Sequence, residues 1–408
     1  MARSEEGRIP ELDGWRVLLV FLVSWYHIWQ QSWLTPYVGH VSLDFLVRSG
    51  YMPVDGTILL SGFLLFLPWA KAMRSGGPLP SARAFYQRRV ARIVPSYVSF
   101  TLLMLFVVAI PQGSYGSDEA MLGDLAAHFT FTFTFFRATY LGTPLGAASW
   151  TLCVEAQMYL LFPWIARLAS KKPLAVILGL CAAGAYFRMW VLWRYSEYNM
   201  VVNQLAAFLD VYGIGMALAL LYVRLKELQA RLTRGWPMRL IATVCAVLAV
   251  WGIVVLLKEQ ASSGSYPDLQ AGQLIRRMPF ALLLGTVMVA LPFAFAPLRL
   301  LMGNPVTRFL SSISMNYYLI HQPLAVYLKR LGIPYSEFEL PNQAGDRAWM
   351  YQYTFLCFGL SLLAATLMTY LVEKPAARGL KVLFARRDRR RAEKRAARAA
   401  DVADGLGS

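Results

Sequence analysis

The sequence predicts an all-α polytopic membrane protein with about ten transmembrane helices and both termini in the cytoplasm. Three observations lead to this fold class. The 408 residues are 57% hydrophobic and only 15% charged, which is too apolar for an ordinary soluble protein. Ten apolar segments are long enough to cross a bilayer. If the N-terminus is cytoplasmic, about three quarters of the 40 Lys and Arg residues fall on the cytoplasmic side, in agreement with the positive-inside rule.

The ten apolar segments are separated by more polar stretches. They cover residues 15–34, 51–72, 93–112, 148–169, 173–194, 202–223, 237–257, 280–297, 306–328 and 351–372. The eighth is the shortest, and residues 262–273 before it have the composition of a polar loop. Residues 112–147 are mostly apolar but interrupted, which predicts an outer-face loop with a short re-entrant or interfacial piece.

The apolar segments divide the chain into three parts. Residues 1–14 form a cytoplasmic N-terminus, residues 15–372 a transmembrane domain and residues 373–408 a basic cytoplasmic tail. The tail is expected to be a helical or disordered arm beside anionic lipid headgroups. Because a basic flank is usual after a last transmembrane helix, the formal net charge of +17 does not indicate nucleic-acid binding. Residues 1–14 also lack the pattern of a cleaved signal peptide, so the first helix is expected to anchor the chain in the inner (plasma) membrane.

The four cysteines lie in apolar runs without metal-like spacing. Small apolar side chains of this kind are usually buried. We therefore expect no disulfide and no metal site at Cys153, Cys181, Cys245 and Cys357.

The first segment carries two ionisable residues, Arg16 and His27, although such groups are costly within a bilayer. Their spacing along a helix places them about 16 Å apart and within about 20° of the same face. A guanidinium binds phosphate, and a neutral imidazole accepts a proton from a hydroxyl. The pair therefore suits a long phosphorylated donor whose reactive end lies at His27. Alternatively, Arg16 snorkels to the membrane surface and His27 forms an interhelical hydrogen bond.

Three further ionisable residues, Asp55, Glu155 and His321, are predicted to lie with His27 in the outer half of the bilayer. Buried carboxylates can orient an imidazole and raise its basicity, so Asp55 and Glu155 are candidates to orient His27. The alternative is that the carboxylates form structural pairs that stabilise the bundle.

A cluster of arginines precedes the third segment. Arg89 and Arg92 are three residues apart and so lie on neighbouring faces of a helix. Cations near a helix N-terminus add to the positive end of its dipole, which predicts an anion site together with Arg16. The alternative is that these arginines only set the topology.

Several segments, taken in order, resemble the acyltransferase-3 family of integral-membrane acyltransferases. The similarity runs through LDGWR at Leu12–Arg16, His27, PVDGTILLSGFLL at Pro53–Leu65, RRVARIVPSY at Arg88–Tyr97, SWTLCVEAQMYLLFPW at Ser149–Trp164, SISMNYYLIHQPL at Ser312–Leu324 and VEKPAARGL at Val372–Leu380. The resemblance implies ten transmembrane helices. It also implies an acyl-CoA donor, with acetyl-CoA expected, and a glycan, lipid or natural product as acceptor.

The resemblance assigns roles to individual residues. Arg16 and His27 are expected to be required, and Arg89 and Arg92 correspond to the R-x-x-R pair of the family. Supporting or substrate-contacting roles are expected at three positions within the similar segments, namely Trp150, Tyr159 and His321.

Two features depart from the family pattern. Ala156 follows Glu155 where the family usually has a second acid, which argues against a mechanism with two adjacent carboxylates. Some relatives carry a C-terminal hydrolase-like domain that this chain lacks, so the membrane domain is expected to complete the reaction alone or with a separate partner.

The sequence thus predicts a membrane-embedded O-acyltransferase. Arg16, Arg89 and Arg92 would hold the phosphates of CoA, and His27 would act as general base or transiently carry the acyl group. A transporter or channel is the alternative, although no inverted pair of Gly- or Pro-broken helices is evident. A non-catalytic scaffold or receptor would leave the converging ionisable groups unexplained.

Overall fold

Helices account for nearly all the regular structure in the computed structural model, which describes residues 8–405. In chain order they are α1 (Glu11–Ser32), α2 (Asp44–Arg48), α3 (Val54–Ser75), α4 (Ala82–Met104), α5 (Asp118–Phe129), α6 (Arg137–Tyr140), α7 (Trp150–Lys171), α8 (Pro173–Arg194), α9 (Leu209–Arg231), α10 (Trp236–Ala261), α11 (Tyr266–Ala290), α12 (Ala296–Met302), α13 (Pro305–Arg330), α14 (Pro341–Ala344), α15 (Arg347–Leu367) and α16 (Lys374–Gly405). Strands β1 (Tyr37–Val38) and β2 (Val41–Ser42) pair antiparallel, with Tyr37 opposite Ser42. Short π-helical segments, Leu105–Ala109 and Met368–Glu373, extend α4 and α15.

Each of the ten predicted segments falls mainly on one of the long helices. Within the described residues, seven helical stretches are long and apolar enough to cross a membrane: Val54–Ser75, Ala82–Ala109, Pro173–Arg194, Leu205–Arg231, Trp236–Ala261, Tyr266–Phe293 and Arg347–Lys394. The prediction of an all-α, multi-pass membrane protein is therefore confirmed. The count of ten spans and the cytoplasmic termini stay predictions.

The polar loop predicted at residues 262–273 is wrong, because α11 already begins at Tyr266. Ser265 caps the helix by accepting a hydrogen bond from the backbone N–H of Asp268, and Pro267 occupies the first turn, where its missing N–H costs nothing. The polar residues that suggested a loop, Gln270 and Gln273, are buried on the inner face of this helix. The eighth predicted segment is therefore one of the longer helices rather than the shortest.

Helices α1 and α13 run parallel and in contact. Residues further along α1 contact residues further along α13: the Ser24 and Tyr317 hydroxyls lie 3.0 Å apart, and Lys329 donates to the carbonyl of Gln31 at 2.8 Å. This pairing holds the face of α1 that carries Arg16 and His27 against the polar face of α13.

Helices α3 and α9 approach each other closely where glycines meet. A Cβ atom added to Gly215 would lie only 2.6 Å from the carbonyl oxygen of Leu59, and one added to Gly62 would lie 3.1 Å from the Cα of Tyr212. Small residues at such contacts let helix backbones pack tightly. This packing holds the inward face of α3 in place within the bundle.

The basic tail continues from the last long helix. The segment Met368–Glu373 joins α15 to α16, so a helix passes through the predicted domain boundary at residue 373. Asp388 of α16 accepts a hydrogen bond from Gln87 at 3.1 Å and forms an ion pair with Arg83. The first part of the tail is thus packed against the start of α4.

The cysteines differ in their environments. All four are free thiols, and Cys153 and Cys357 are buried as expected. Cys181 is only partly buried, and Cys245 is exposed, because α10 turns most of its apolar surface away from the bundle.

Candidate active site

Two cavities divide the length of α1 between them. The arginine cavity is lined by Arg16, Ser61, Arg89, Arg92, Glu155, Tyr159, Ser314 and their neighbours. The histidine cavity is lined by Tyr26, His27, Tyr51, Trp150, Gln270, Gln273 and their neighbours. The predicted phosphate-binding residues and the predicted base therefore lie in adjacent cavities of one bundle.

The arginine cavity gathers three guanidinium groups that form no ion pair among the described residues. Arg16, Arg89 and Arg92 all line it, and none of them forms an ion pair with a carboxylate among the described residues. The Arg89 guanidinium lies beside two adjacent aromatic rings, 5.5 Å from the ring centre of Phe85 and 5.3 Å from that of Tyr159. Cations that line a cavity without forming an ion pair make it an anion site.

The N-terminus of α4 was expected to contribute to the positive charge of this cavity, but it lies too far away. Helix α4 begins at Ala82, so Arg89 and Arg92 lie about two and three turns beyond its start and away from the free backbone amides of the first turn. The guanidinium groups, rather than the helix terminus, therefore supply the positive charge of the cavity.

Glu155 lies in the arginine cavity rather than beside His27. Its carboxylate accepts a hydrogen bond from the Tyr159 hydroxyl at 2.7 Å. Trp150, at the start of α7, lines the histidine cavity, whereas Glu155 lies more than a turn further along the helix. The expectation that Glu155 shares a layer with His27 is thus wrong, because the two cavities meet α7 at different levels.

A vestibule leads into the arginine cavity from the end of the bundle at which α1 begins. Arg8, Asp13 and Glu373 line it, and it shares Arg16 and Arg92 with the cavity. Glu373 lies in the π-helical segment and accepts a hydrogen bond from the Asn316 amide at 2.6 Å. Glu373 was not among the residues predicted from the sequence, although its VEKP segment was part of the family resemblance.

His27 is held by an amide rather than by a carboxylate. Its Nδ1 lies 2.9 Å from Oε1 of Gln30, whose Nε2 donates to the Tyr26 hydroxyl at 2.9 Å. Because an amide oxygen only accepts, Nδ1 carries the proton and Nε2 keeps its lone pair. No residue that the structure describes hydrogen-bonds to Nε2, so this nitrogen is available as a base.

Gln30 was not predicted from the sequence as a site residue. Its spacing of three residues from His27 on α1 is the signal that could have identified it.

His321 packs against His27. The two ring centres are 5.3 Å apart, and His321 is completely buried. Its Nδ1 lies 3.2 Å from the Tyr317 carbonyl. A buried ring fixed in this way supports the position of the His27 ring.

Asp55 does not contact His27. It is fully buried and pairs with Arg277 at 3.3 Å, close to a second buried pair in which Arg188 binds both carboxylate oxygens of Asp210 at 2.6 and 2.7 Å. The carbonyl of Ala207 accepts hydrogen bonds from both arginines. The alternative of structural pairing therefore describes Asp55 better, since breaking one buried pair costs about 3–5 kcal/mol.

Tyr318 lies where the two cavities meet. It lines both of them, and no other described residue does so. Its ring centre is 5.5 Å from that of His321. The route between the arginines and His27 is thus not one open crevice, because the Tyr318 side chain stands between its two halves.

Comparisons with known proteins identify the family that this chain resembles. Residues 9–371 match the family model described as an acyltransferase domain. A provisionally named acetyltransferase of the Acidianus two-tailed virus is 24% identical over 223 residues, which are 54% of this chain and 60% of that protein. Acyltransferase MdmB of Streptomyces mycarofaciens is 29% identical over 178 residues, 43% of this chain and 44% of that protein.

The matches leave part of each protein uncovered. The chain spans about half the length of these curated relatives. No solved structure matches it.

Proposed function

The chain belongs to the acyltransferase-3 family, and we propose that it is a membrane-embedded O-acyltransferase that moves an acyl group from acyl-CoA to a hydroxyl of a glycan, glycolipid or related natural product. The expected donor is acetyl-CoA or another short acyl-CoA. One observation carries this proposal: a cavity with three unpaired arginines adjoins a cavity with a free imidazole nitrogen, and Tyr318 is common to both.

The arginine cavity suits the donor. CoA carries several phosphate groups, and guanidinium groups bind phosphate through paired, charge-assisted hydrogen bonds. In the proposed orientation the vestibule opens to the cytoplasm of the inner (plasma) membrane, where acyl-CoA is made, and both termini lie on that side. The thioester end of the donor then points from Arg89 and Arg92 towards Tyr318.

The histidine cavity suits the chemical step. An acceptor hydroxyl gives its proton to Nε2 of His27 while its oxygen attacks the thioester carbonyl carbon. The carbon–sulfur bond breaks, and the CoA sulfur leaves as a thiol with the proton that Nε2 of His27 received from the acceptor. The product is an ester and free CoA, and His27 returns to its starting state. Gln30 keeps the His27 proton on Nδ1, which leaves Nε2 ready for the next acceptor.

A test compares two histidines of the same chain. Membranes that contain wild-type protein, His27→Ala or His40→Ala are incubated with isotope-labelled acetyl-CoA, and mass spectrometry of lipids and glycans identifies the acetylated product. Loss of the general base is expected to lower transfer by about 100-fold or more. His40→Ala is the matched control, because His40 is exposed in the turn between β1 and β2 and is expected to leave transfer unchanged.

The result can also contradict the proposal. Full transfer by a folded His27→Ala protein would remove the imidazole from the mechanism. Solute flux through proteoliposomes without any acyl donor would favour a transporter instead.

A further inference from the structure

A groove with apolar walls runs between α4 and α13 on the surface of the bundle. Three residues of α4 and two of its π-helical extension form one wall, and four residues of α13 form the other. None of these nine side chains carries a charge. The walls include Phe100, Met104, Val108, Ile320, Leu324 and Tyr327. Neither the arginine cavity nor the histidine cavity shares any of the nine, so the groove is separate from the candidate active site.

The dimensions of the groove match a lipid chain. Its volume is about 110 Å³. Each wall extends along seven or eight residues of helix, which is about 10–12 Å, whereas half of the hydrocarbon core of a bilayer is about 15 Å thick. Leu103 and Val107 on the rim are exposed, so the groove opens to the surrounding hydrocarbon. Because apolar walls give water no hydrogen-bond partner, methylene groups rather than water fill such a groove.

One end of the groove carries a cation. Arg330 lies three residues beyond Tyr327, so it continues the α13 wall by about one turn. Gln112 continues the other wall in the same way, since its backbone N–H donates to the carbonyl of Val108 at 3.2 Å. Arg330 donates a hydrogen bond to the Gln112 side chain and thereby joins the two walls.

The Arg330 guanidinium has further N–H groups for a ligand. The residue is exposed, and it forms no ion pair with any carboxylate that the structure describes. A guanidinium carries five N–H donors, and phosphate is the anion whose oxygens match their geometry. An apolar groove that ends at such a cation has the two parts that a phospholipid needs, one for the chain and one for the phosphate.

We propose that this groove binds one anionic phospholipid, with an acyl chain between α4 and α13 and the phosphate at Arg330. A headgroup whose only charge is the phosphate fits this site, since a quaternary ammonium would place a second cation beside Arg330. The inference goes beyond the proposed function, because this lipid is neither the donor nor the acceptor of the acyl group. It connects two helices that carry site residues, Arg92 on α4 and His321 on α13.

Two phospholipids with identical chains test the headgroup. Full-length protein in detergent is titrated with phosphatidylglycerol, whose phosphate is its only charge, or with phosphatidylcholine, and native mass spectrometry counts the bound lipid. Wild-type protein is expected to retain one phosphatidylglycerol with about tenfold higher affinity than phosphatidylcholine. Phosphatidylglycerol should also raise the thermal midpoint, because a ligand that binds only the folded state stabilises it.

A matched pair of arginine variants tests the phosphate contact. Arg330→Gln is expected to weaken phosphatidylglycerol binding about tenfold, because a charge-assisted hydrogen bond is lost. Arg194→Gln is the control: Arg194 is likewise exposed in the last turn of a long apolar helix, α8, but it does not border the groove. This variant should keep the wild-type affinity.

A second pair of variants tests the chain. Leu103→Trp places an indole in the volume of the acyl chain and is expected to lower the affinity at least about tenfold. Leu102→Trp adds the same ring about 100° further round the helix, at an exposed position that does not line the groove, and should bind like wild type. The thermal midpoint without added lipid shows that each variant is folded.

Several results would overturn the assignment. Wild-type protein that retains neither lipid, or binds both equally well, contradicts an anionic phospholipid site. Equal losses in Arg330→Gln and Arg194→Gln would show a general effect of surface charge. Unchanged binding in a folded Leu103→Trp protein would exclude the chain from the groove, and Arg330→Gln still tests the site if Leu103→Trp does not fold. None of these measurements depends on acyl transfer, so their outcome is independent of the proposed function.

Discussion

At the scale of single residues, the partner of His27 decides what its imidazole can do. Either carboxylate predicted as its partner would have added a negative charge beside the ring. The structure instead provides the neutral amide of Gln30, which accepts from Nδ1 at 2.9 Å and is itself bonded to Tyr26. This arrangement fixes the tautomer without burying another charge, which is the less costly solution inside a membrane.

Gln30 is therefore expected to be a positioning residue, and its loss should slow the chemical step. Gln30→Ala should lower kcat about 10-fold to 100-fold, with the KM for acyl-CoA unchanged, because the arginine cavity is not altered. Gln30→Glu should retain more activity than Gln30→Ala, since a carboxylate also accepts from Nδ1. Steady-state kinetics of purified variants measure both effects. Equal losses in the two variants, or a change confined to KM, would contradict this role.

At the scale of elements, α4 shows how one helix separates neighbouring arginines. Successive residues on a helix are about 100° apart, so Arg89 faces the arginine cavity while Arg88 is exposed and does not line it. Sequence alone could identify the cluster but could not tell which of its members faces inward.

Because Arg89 faces the cavity and Arg88 does not, substitutions of these two residues form a matched pair. Arg89→Ala is expected to weaken CoA binding about tenfold, since a hydrogen bond to a charged group contributes about 1.5–3 kcal/mol. It should also reduce the salt dependence of binding, because one cation fewer contacts phosphate. Arg88→Ala removes the same charge from the same helix and should leave the affinity near the wild-type value. Isothermal titration of CoA at low and high salt is the measurement. Equal effects of the two substitutions would show that only the overall charge of this surface matters.

At the scale of the whole molecule, the two cavities share walls from α1, α3, α7 and α13 and meet at one tyrosine. Tyr318 of α13 lines both cavities, so its ring must shift before a thioester can reach His27. A closed partition also keeps water that enters the histidine cavity away from the donor, which suppresses hydrolysis of the thioester.

Truncation of this side chain should therefore uncouple donor cleavage from transfer. Tyr318→Ala is expected to raise the ratio of acetyl-CoA hydrolysis to acyl transfer about tenfold, whereas Tyr318→Phe keeps the ring and should stay close to wild type. Release of free CoA thiol, measured with and without acceptor, gives the ratio. An unchanged ratio in Tyr318→Ala would show that Tyr318 does not separate the two cavities.

Local properties of the chain were sufficient to predict the all-α membrane fold. The apolar length of each segment depends only on consecutive residues, and the spacing of Arg16 and His27 follows from the helical period. Tertiary structure alone decided that Asp55 pairs with Arg277, that Glu155 joins the arginines, and that Tyr318 divides the route to His27. The physical reason is that these contacts join residues far apart in the chain. They depend on which helices pack together and on how each is rotated, and neither property is encoded in the composition or periodicity of a single segment.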